Sequence, residues 1–570
     1  MKKSFAKSLF SGHVDTVAIS KYPRFNTPQE DDFQLMSTSL KGWIESNVNS
    51  LVLDEEKKLS QEILQGLREL GMFGLIIPEE HGGSQFTQTL YTRTLELLNY
   101  YDTSVTLTVG AHSSIGLKGL YLFGNPEQKA KYMPKLASGE MIAAFALTEP
   151  TAGSDAAAIK SRVEVKDGKI TLNGSKLWIT NGGIADFFTV FAQENIQGKD
   201  QISAFIVTRD LGGVSHGPEE QKLGIKASST VEVYFKDVII PPENRLGSPG
   251  EGFKIAMAIL NQGRLGLAGG AIGGMKSVLN QCLGYIKTRK TFGLSIDNYE
   301  MIQNLIVDMV SKTYASEAMT YFTTYLCDTK EWDYSIEAAM CKVYSTEAAW
   351  KCTDIAMQIH GGNGYMKDYH IERKLRDSRI APIFEGTNEI LKIFVSLSGI
   401  KEIGQEYKKA NENAKNLINI EDISNLIHKL GFITEFALKE IKHYVSPEKV
   451  DIFDETFTRE QERLNDAVSL LSIETSRLIR TYGSKLIDKQ MQLARIADIA
   501  TNTYMMACVL ARAQAKKNDP LEVNIVKLVI RNAKVHINQM KADIRSNTDP
   551  LVKKIFQSIK EMEKYPFDLS

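Results

Sequence analysis

Within Ile383-Phe384-Glu385-Gly386-Thr387-Asn388 a single carboxylate stands among apolar neighbours, just after a basic helical segment. Between Phe384 and Gly386 it is partly stripped of water. That raises its pKa toward the range useful for taking a proton, and the glycine lets a ligand approach the backbone closely. The competing reading is a loop glutamate paired with a nearby arginine, and perturbed surroundings alone do not decide between the two. The surrounding chain has to supply the rest of a site.

The 570 residues exceed a single core, carry a net charge of −1 and have a sequence pI near 6.8. No global field therefore draws nucleic acid or an anionic membrane, and three or four domains are expected. Five cysteines, at 282, 327, 341, 352 and 508, show no CxxC and no zinc spacing, so we expect reduced thiols, no disulfide framework and no metal site. The opening MKKSFAKSLFSG lacks an apolar h-region and no run of eighteen apolar residues follows, so the expectation is an intracellular, cytoplasmic protein.

Periodicity divides the chain into four. Residues 1–145 read as a helical domain, with Ile63, Leu64, Leu67 and Leu70 on one helix face before the break at His81-Gly82-Gly83. Over 146–252 the period shifts to two, and the runs around Ile170, Phe187, Ala204 and Val231 are separated by Asp167-Gly168, Asn173-Gly174 and Gly182-Gly183. That pattern predicts a small β-barrel. Residues 253–404 return to helical spacing, enough for a four-helix bundle, and 405–570 read as an appended helical domain. The fold class is mainly α with a central β domain.

FALTEPTAGSD (145–155) and KLWITNGG (176–183) resemble the flavin-binding segments of the acyl-CoA dehydrogenase family, and IFEGTNE (383–389) resembles its base-bearing loop. RKTFG (289–293), QIHGGNGY (358–365) and LNQGR (260–264) match in order and spacing, so the likeness covers essentially the whole chain. GIKAS (224–228), STEAAWK (345–351), the opening KSFAKSLFSG and ARIADIATNTYMMACVLARA (494–513) are most similar to the very-long-chain members. The resemblance implies an FAD cofactor contacted by Phe145, Leu147, Thr148, Gly153, Ser154, Trp178, Ile179, Thr180, Thr387 and Glu389. In the family Trp178 packs on the isoalloxazine, Thr148 and Thr180 bond its polar edge, and Gly153 and Ser154 meet the pyrophosphate. A lone Trp in an alternating strand reads as barrel core, but beside TEPTAGSD the triplet Trp178-Ile179-Thr180 favours the flavin. No GxGxxG follows a strand, which argues against a nicotinamide cofactor.

By the same resemblance, Arg289, Phe292, Gln303, Gln358, Gly361 and Gly362 reach the FAD of a neighbouring subunit, which implies a homodimer at least. Glu385 is then the base that removes an α-proton from an acyl-CoA as a β-hydride leaves for the flavin, giving a trans-2-enoyl-CoA. Some relatives carry the base one residue before the arginine of LNQGR. Here that residue is Gly263. Ser154, Asn261, Arg264, Phe384 and Gly386 are implied substrate contacts, with a structural ion pair an equal reading for Arg264.

Small residues at Val109-Gly110-Ala111-His112-Ser113-Ser114 suit a deep cavity for long acyl chains, although close helix packing explains them as well. His112 reads as a hydrogen-bonded core histidine, and the Gly/Ala run 266–275 as tight helix packing. In the appended segment Ile423, Leu426, Ile427, Leu430, Ile433, Ala437 and Ile441 line one helix face beside Lys429, Lys439 and Lys442. That face suits burial against the body or peripheral contact with an inner membrane. The expected electron acceptor is an electron-transfer flavoprotein. An oxygen-using oxidase and a non-enzymatic assembly role on the same scaffold are the alternatives, and the near-balanced charge of the C-terminal segment excludes a nucleic-acid partner.

Overall fold

A computed structural model describes residues 2–23, 29–415, 449–516 and 519–567. The chain forms two compact units, one of residues 23–390 and one of residues 1–22 with 391–570. The amphipathic face at 423–441 lies outside the described residues.

In the first unit, helices Glu30–Asn47, Gln61–Glu69, Gln88–Tyr101, Thr103–Gly110 and Pro126–Ser138 precede the sheet. Their starts follow from local chemistry. Ser60, Thr87, Asp102 and Asn125 each accept a backbone N–H of the first turn, and Asn125 with Gln128 forms a reciprocal capping box. Ile63, Leu64 and Leu67 are buried, as their spacing predicts. A π-helical turn over Ala111–Gly116 interrupts the run.

The middle of the unit is an eight-stranded sheet. Its strands are β1 (Ala143–Ala146), β2 (Arg162–Lys166), β3 (Lys169–Thr180), β4 (Phe187–Ile196), β5 (Lys199–Thr208), β6 (Val214–His216), β7 (Thr230–Ile240) and β8 (Arg245–Leu246). The order is β6-β7-β3-β2-β4-β5-β8, with β1 paired in parallel to β4. Alternation on β4 explains how the sheet joins its neighbours. Phe188 and Val190 enter the core between the strands, while Phe187 and Phe191 pack with the N-terminal helices.

Asp167 and Gly168, both at positive φ, make the expected tight turn between β2 and β3. Asn173-Gly174 does not make one. There β3 runs on through an irregularity, because Gly174, at φ +151°, passes so close to Ser161 that a Cβ would collide with its side chain.

Of the four helices expected over 253–404, Gly252–Thr288, Glu300–Asp328 and Ser335–His360 lie in this unit, whereas Asn388–Lys415 passes into the other unit at Leu391. A Cβ on Gly269 or Gly273 would run into the backbone of Thr92 or Glu96, so the glycine-rich run does serve close packing against Gln88–Tyr101. The second unit packs helices Thr458–Tyr482, Gln490–Ala515 and Pro520–Arg545 together. The opening residues belong to it: Phe5 lies 5.8 Å from Tyr504, and Phe10 packs against Gly399.

Candidate active site

The Ile371–Ser378 helix ends just before the loop that carries Glu385. The amide of Phe384 donates to Ile380 O (3.2 Å), and that of Asn388 to Pro382 O (3.0 Å). Between them Glu385 has φ +54° and Gly386 φ +93°. A left-handed glutamate is an uncommon backbone state that its surroundings must hold. Asn388 supplies part of that support: it is buried, and its amide nitrogen donates to Thr346 Oγ1 (3.1 Å) and Glu347 Oε1 (3.3 Å). The ammonium of Lys342 donates to Gly386 O (2.9 Å) and Asn388 Oδ1 (2.8 Å).

Solvent reaches part of the Glu385 residue, but its Oε2 is enclosed and has no hydrogen-bond partner among the described residues. Burial pushes the carboxyl up to about 7, against the opposing pull of the Lys342 and Arg264 cations. A Cβ built on Gly263 would stand 3.0 Å from Glu385 Oε2 and 3.0 Å from Ile115 Cγ2. The base carboxylate and a side chain at 263 therefore compete for one space. Arg264 is buried, donates to Asn261 Oδ1 (2.8 Å), and is lowered to about 10 by its desolvation. Phe384 is partly buried and Thr387 Oγ1 accepts from the Ile390 amide (3.4 Å), while Glu389 is exposed.

The two upstream motifs meet in the sheet. The Leu177 amide donates to Thr148 O (2.9 Å), and buried Lys176 pairs with Glu149 Oε1 (2.6 Å) while also donating to Leu147 O (3.2 Å). Glu149 in turn accepts from the amides of Lys160 (2.5 Å) and Ser161 (3.0 Å). A register shift between Lys176 and Ile179 turns Trp178 outward at φ +56°, leaving it 62% exposed. Leaving a flat apolar ring unpacked in a strained backbone is costly unless something covers it. Beside it lie partly buried Phe145, Thr148 and Thr180, with Gly153 and Ser154 exposed on the following loop. This donor set fits an isoalloxazine and its diphosphate. The side chains of Leu147 and Ile179 are buried, so their contribution to such a site is through the backbone.

Arg289, Phe292, Gln303, Gln358, Gly361 and Gly362 gather elsewhere, around the C-terminal end of Gly252–Thr288. Tyr285 joins the two stretches: its hydroxyl donates to His360 O (3.3 Å) and accepts from Asn363 Nδ2 (3.1 Å), and its ring stacks on His360 at 4.1 Å. Phe292 is 93% exposed at φ +49°, on the turn between Lys290–Thr291 and Leu294–Ser295. His112 is buried, accepts the Ala143 amide at Nδ1 (2.9 Å), and is lowered to about 4 by burial, as suits a structural histidine.

Sequence reasoning did not single out Lys342, Asn388, Thr346, Glu149 or Lys176. The signal available was charge inside apolar helical and strand patterns, since a lysine between Cys341 and Val343 has to find a partner when buried.

Profiles of the acyl-CoA dehydrogenase family match along the chain: the N-terminal domain over residues 30–140, the middle domain over 144–238 and the C-terminal domain over 250–398. The ACAD9/ACADV C-terminal domain matches residues 455–565. The chain is 41% identical to the human very long-chain specific acyl-CoA dehydrogenase of mitochondria over 526 residues, which are 90% of this chain and 79% of that protein. Among solved structures it resembles an acyl-CoA dehydrogenase of Bacillus anthracis complexed with FAD, with TM-score 0.79 and 29% identity, over 100% of this chain and 96% of that one. A butyryl-CoA dehydrogenase of Megasphaera elsdenii aligns with TM-score 0.63 and 34% identity over 66% of this chain and 99% of its own.

Proposed function

The chain belongs to the acyl-CoA dehydrogenase family and is an FAD-dependent oxidoreductase, and from that premise we propose that it oxidises long-chain acyl-CoA to trans-2-enoyl-CoA in β-oxidation, with Glu385 as the base. The carrying observation is the enclosed Glu385 carboxylate, whose Oε2 is unbonded among the described residues and whose pKa is raised to about 7. A base poised there is ionised often enough to act and basic enough to take a carbon-bound proton.

When bound, FAD supplies the acceptor for the β-hydride. Everything else falls to the chain. Among the described residues the Glu385 amide donates to no acceptor, so it is available to the thioester carbonyl, and polarising that carbonyl acidifies the α-carbon. Glu385 then takes the α-proton. Trp178, Thr148 and Thr180 would hold and orient the FAD ring, and Gly153 and Ser154 would meet its diphosphate. Asn261 and Arg264, bonded to one another, line the acyl-CoA path together with Phe384 and Gly386. Support for long chains comes from the likeness to very long-chain specific relatives and from Gly110 near Leu95, where a Cβ would have ordinary van der Waals room.

Arg289 follows a continuous helix that begins at Gly252 and passes Gly263 beside the base. The rise from Gly263 to the helix end is about 37 Å. The family resemblance supports reading Arg289 and its exposed neighbours as serving the FAD of a second copy, in a homodimer that passes electrons to an electron-transfer flavoprotein.

The test is anaerobic titration of the holoprotein with acyl-CoAs of increasing length, reading flavin bleaching and product. Bleaching should be fastest with long chains. Bleached enzyme should reoxidise rapidly with an electron-transfer flavoprotein and slowly in air; fast reoxidation by oxygen would make it an oxidase.

A further inference from the structure

Lys342 lies in the Ser335–His360 helix with no exposed surface, in a stretch where both neighbours in sequence, Cys341 and Val343, are also buried. A cation in such a place is costly unless several acceptors and an opposite charge compensate it. The acceptors are specific. Both hydrogen bonds go to the base loop, to the carbonyl of Gly386 immediately after Glu385 and to the side chain of Asn388. Asn388 is itself locked to Thr346 and Glu347 one turn further along the same helix. The loop is thus fastened on the C-terminal side of Glu385, where two successive residues hold positive φ.

We infer that Lys342 is a positioning residue for the base: its ammonium fixes the left-handed turn through Gly386 and Asn388, and its charge keeps the Glu385 carboxylate in the ionised, proton-accepting form. The inference rests on the reading of Glu385 as base. Three helices present groups to that carboxylate: Lys342 from Ser335–His360, Arg264 from Gly252–Thr288 and the Tyr91 phenol from Gln88–Tyr101. Burial lowers the Lys342 ammonium to about 8, which leaves it charged at pH 7; Glu385, Glu347 and Glu389 favour its charged form and Arg264 opposes it. Arg264 bonds Asn261, and the hydrogen bonds of Lys342 to Gly386 O and Asn388 Oδ1 couple its charge to the loop geometry.

The experiment compares the pH dependence of anaerobic flavin reduction by a long-chain acyl-CoA in the wild type, Lys342→Gln and Lys342→Met holoproteins. Flavin content and Tm are followed in parallel. Glutamine keeps a hydrogen-bond donor and removes the charge. The expected result is retained FAD, a KM little changed, and an acid limb moved up by about one pH unit or more, so that reduction at pH 7 falls about fivefold or more and recovers at higher pH. In Lys342→Met the maximum rate falls as well, because the loop is no longer held. Should neither variant retain FAD, Asn388→Asp, isosteric and setting a carboxylate against the ammonium, must give the same upward move. A Lys342→Gln limb at the wild-type pH, or an unmoved Asn388→Asp limb, overturns the inference. Glu385→Gln run alongside separates the two readings: if it reduces flavin normally the base assignment itself fails, whereas if it is inactive while Lys342→Gln is unshifted only the role of Lys342 fails.

Discussion

Glu385 has to be ionised to accept a proton, and burial works against ionisation while Lys342 and Arg264 favour it. The balance, at about 7, sets a pH dependence: kcat/KM for acyl-CoA should rise as pH increases through about 7, since below that value the carboxyl is protonated and cannot act. A stopped-flow profile of flavin reduction between pH 5.5 and 8.5 checks it, and a profile flat through 7 would contradict it. The space shared with residue 263 makes a second prediction. Gly263→Glu alone should be nearly inactive, because its side chain must enter the volume of the Glu385 carboxylate, whereas Gly263→Glu combined with Glu385→Gly should recover part of the flavin reduction lost in Glu385→Gly. Glycine suits position 385 because φ there is positive. At this scale Glu385, Trp178 and His112 were legible, since each stands out chemically from its neighbours. Lys342 and Lys176 were not, because a charge in a periodic pattern looks the same whether it faces solvent or a buried partner.

Elements place these groups, and the base loop depends on the Ile371–Ser378 helix that precedes it. That helix is gripped by the middle and N-terminal domains: Gly224 packs on the backbone of Arg376, the Ile225 amide donates to Asp377 (2.5 Å), and Arg376 bonds Asp54 of the Ser50–Glu56 helix (2.8 Å). A Cβ at 224 would meet the Arg376 backbone, which cannot swing away as a side chain can. Gly224→Ala should therefore destabilise the protein by about 1–3 kcal/mol, as overpacking does, with a matching fall in the urea midpoint. An unchanged midpoint would show that the loop yields. Helices and their caps were legible from periodicity and from Ser, Thr and Asn at the starts. The Asn173-Gly174 irregularity was misread as a turn, because the dipeptide says that the backbone must bend or approach closely but not whether the chain reverses. Only the nearness of Ser161, thirteen positions away, decides that.

For the whole molecule, the distance along Gly252–Thr288 separates the base from the Arg289 group, so cofactor binding and assembly should be linked. Arg289→Ala should release FAD more readily than the wild type and more so on dilution, read as flavin fluorescence against oligomeric state in a sedimentation run. Equal retention in a confirmed oligomer would contradict a shared site. The α–β–α order and the appended helical segment were legible in the sequence, because each domain carries its own period. The partnership of residues 1–22 with 391–570 was not, since Phe5 and Phe10 show that a face is buried without naming the helix that buries it.

The central claim, that Glu385 is the base of an FAD-dependent acyl-CoA oxidation, is tested most directly by anaerobic flavin reduction in Glu385→Gln. The amide keeps the shape and much of the hydrogen bonding but cannot accept the proton. FAD and a long-chain acyl-CoA should still bind, while the rate of flavin bleaching falls by about 10² to 10⁴-fold or more. Bleaching at the wild-type rate would contradict the account.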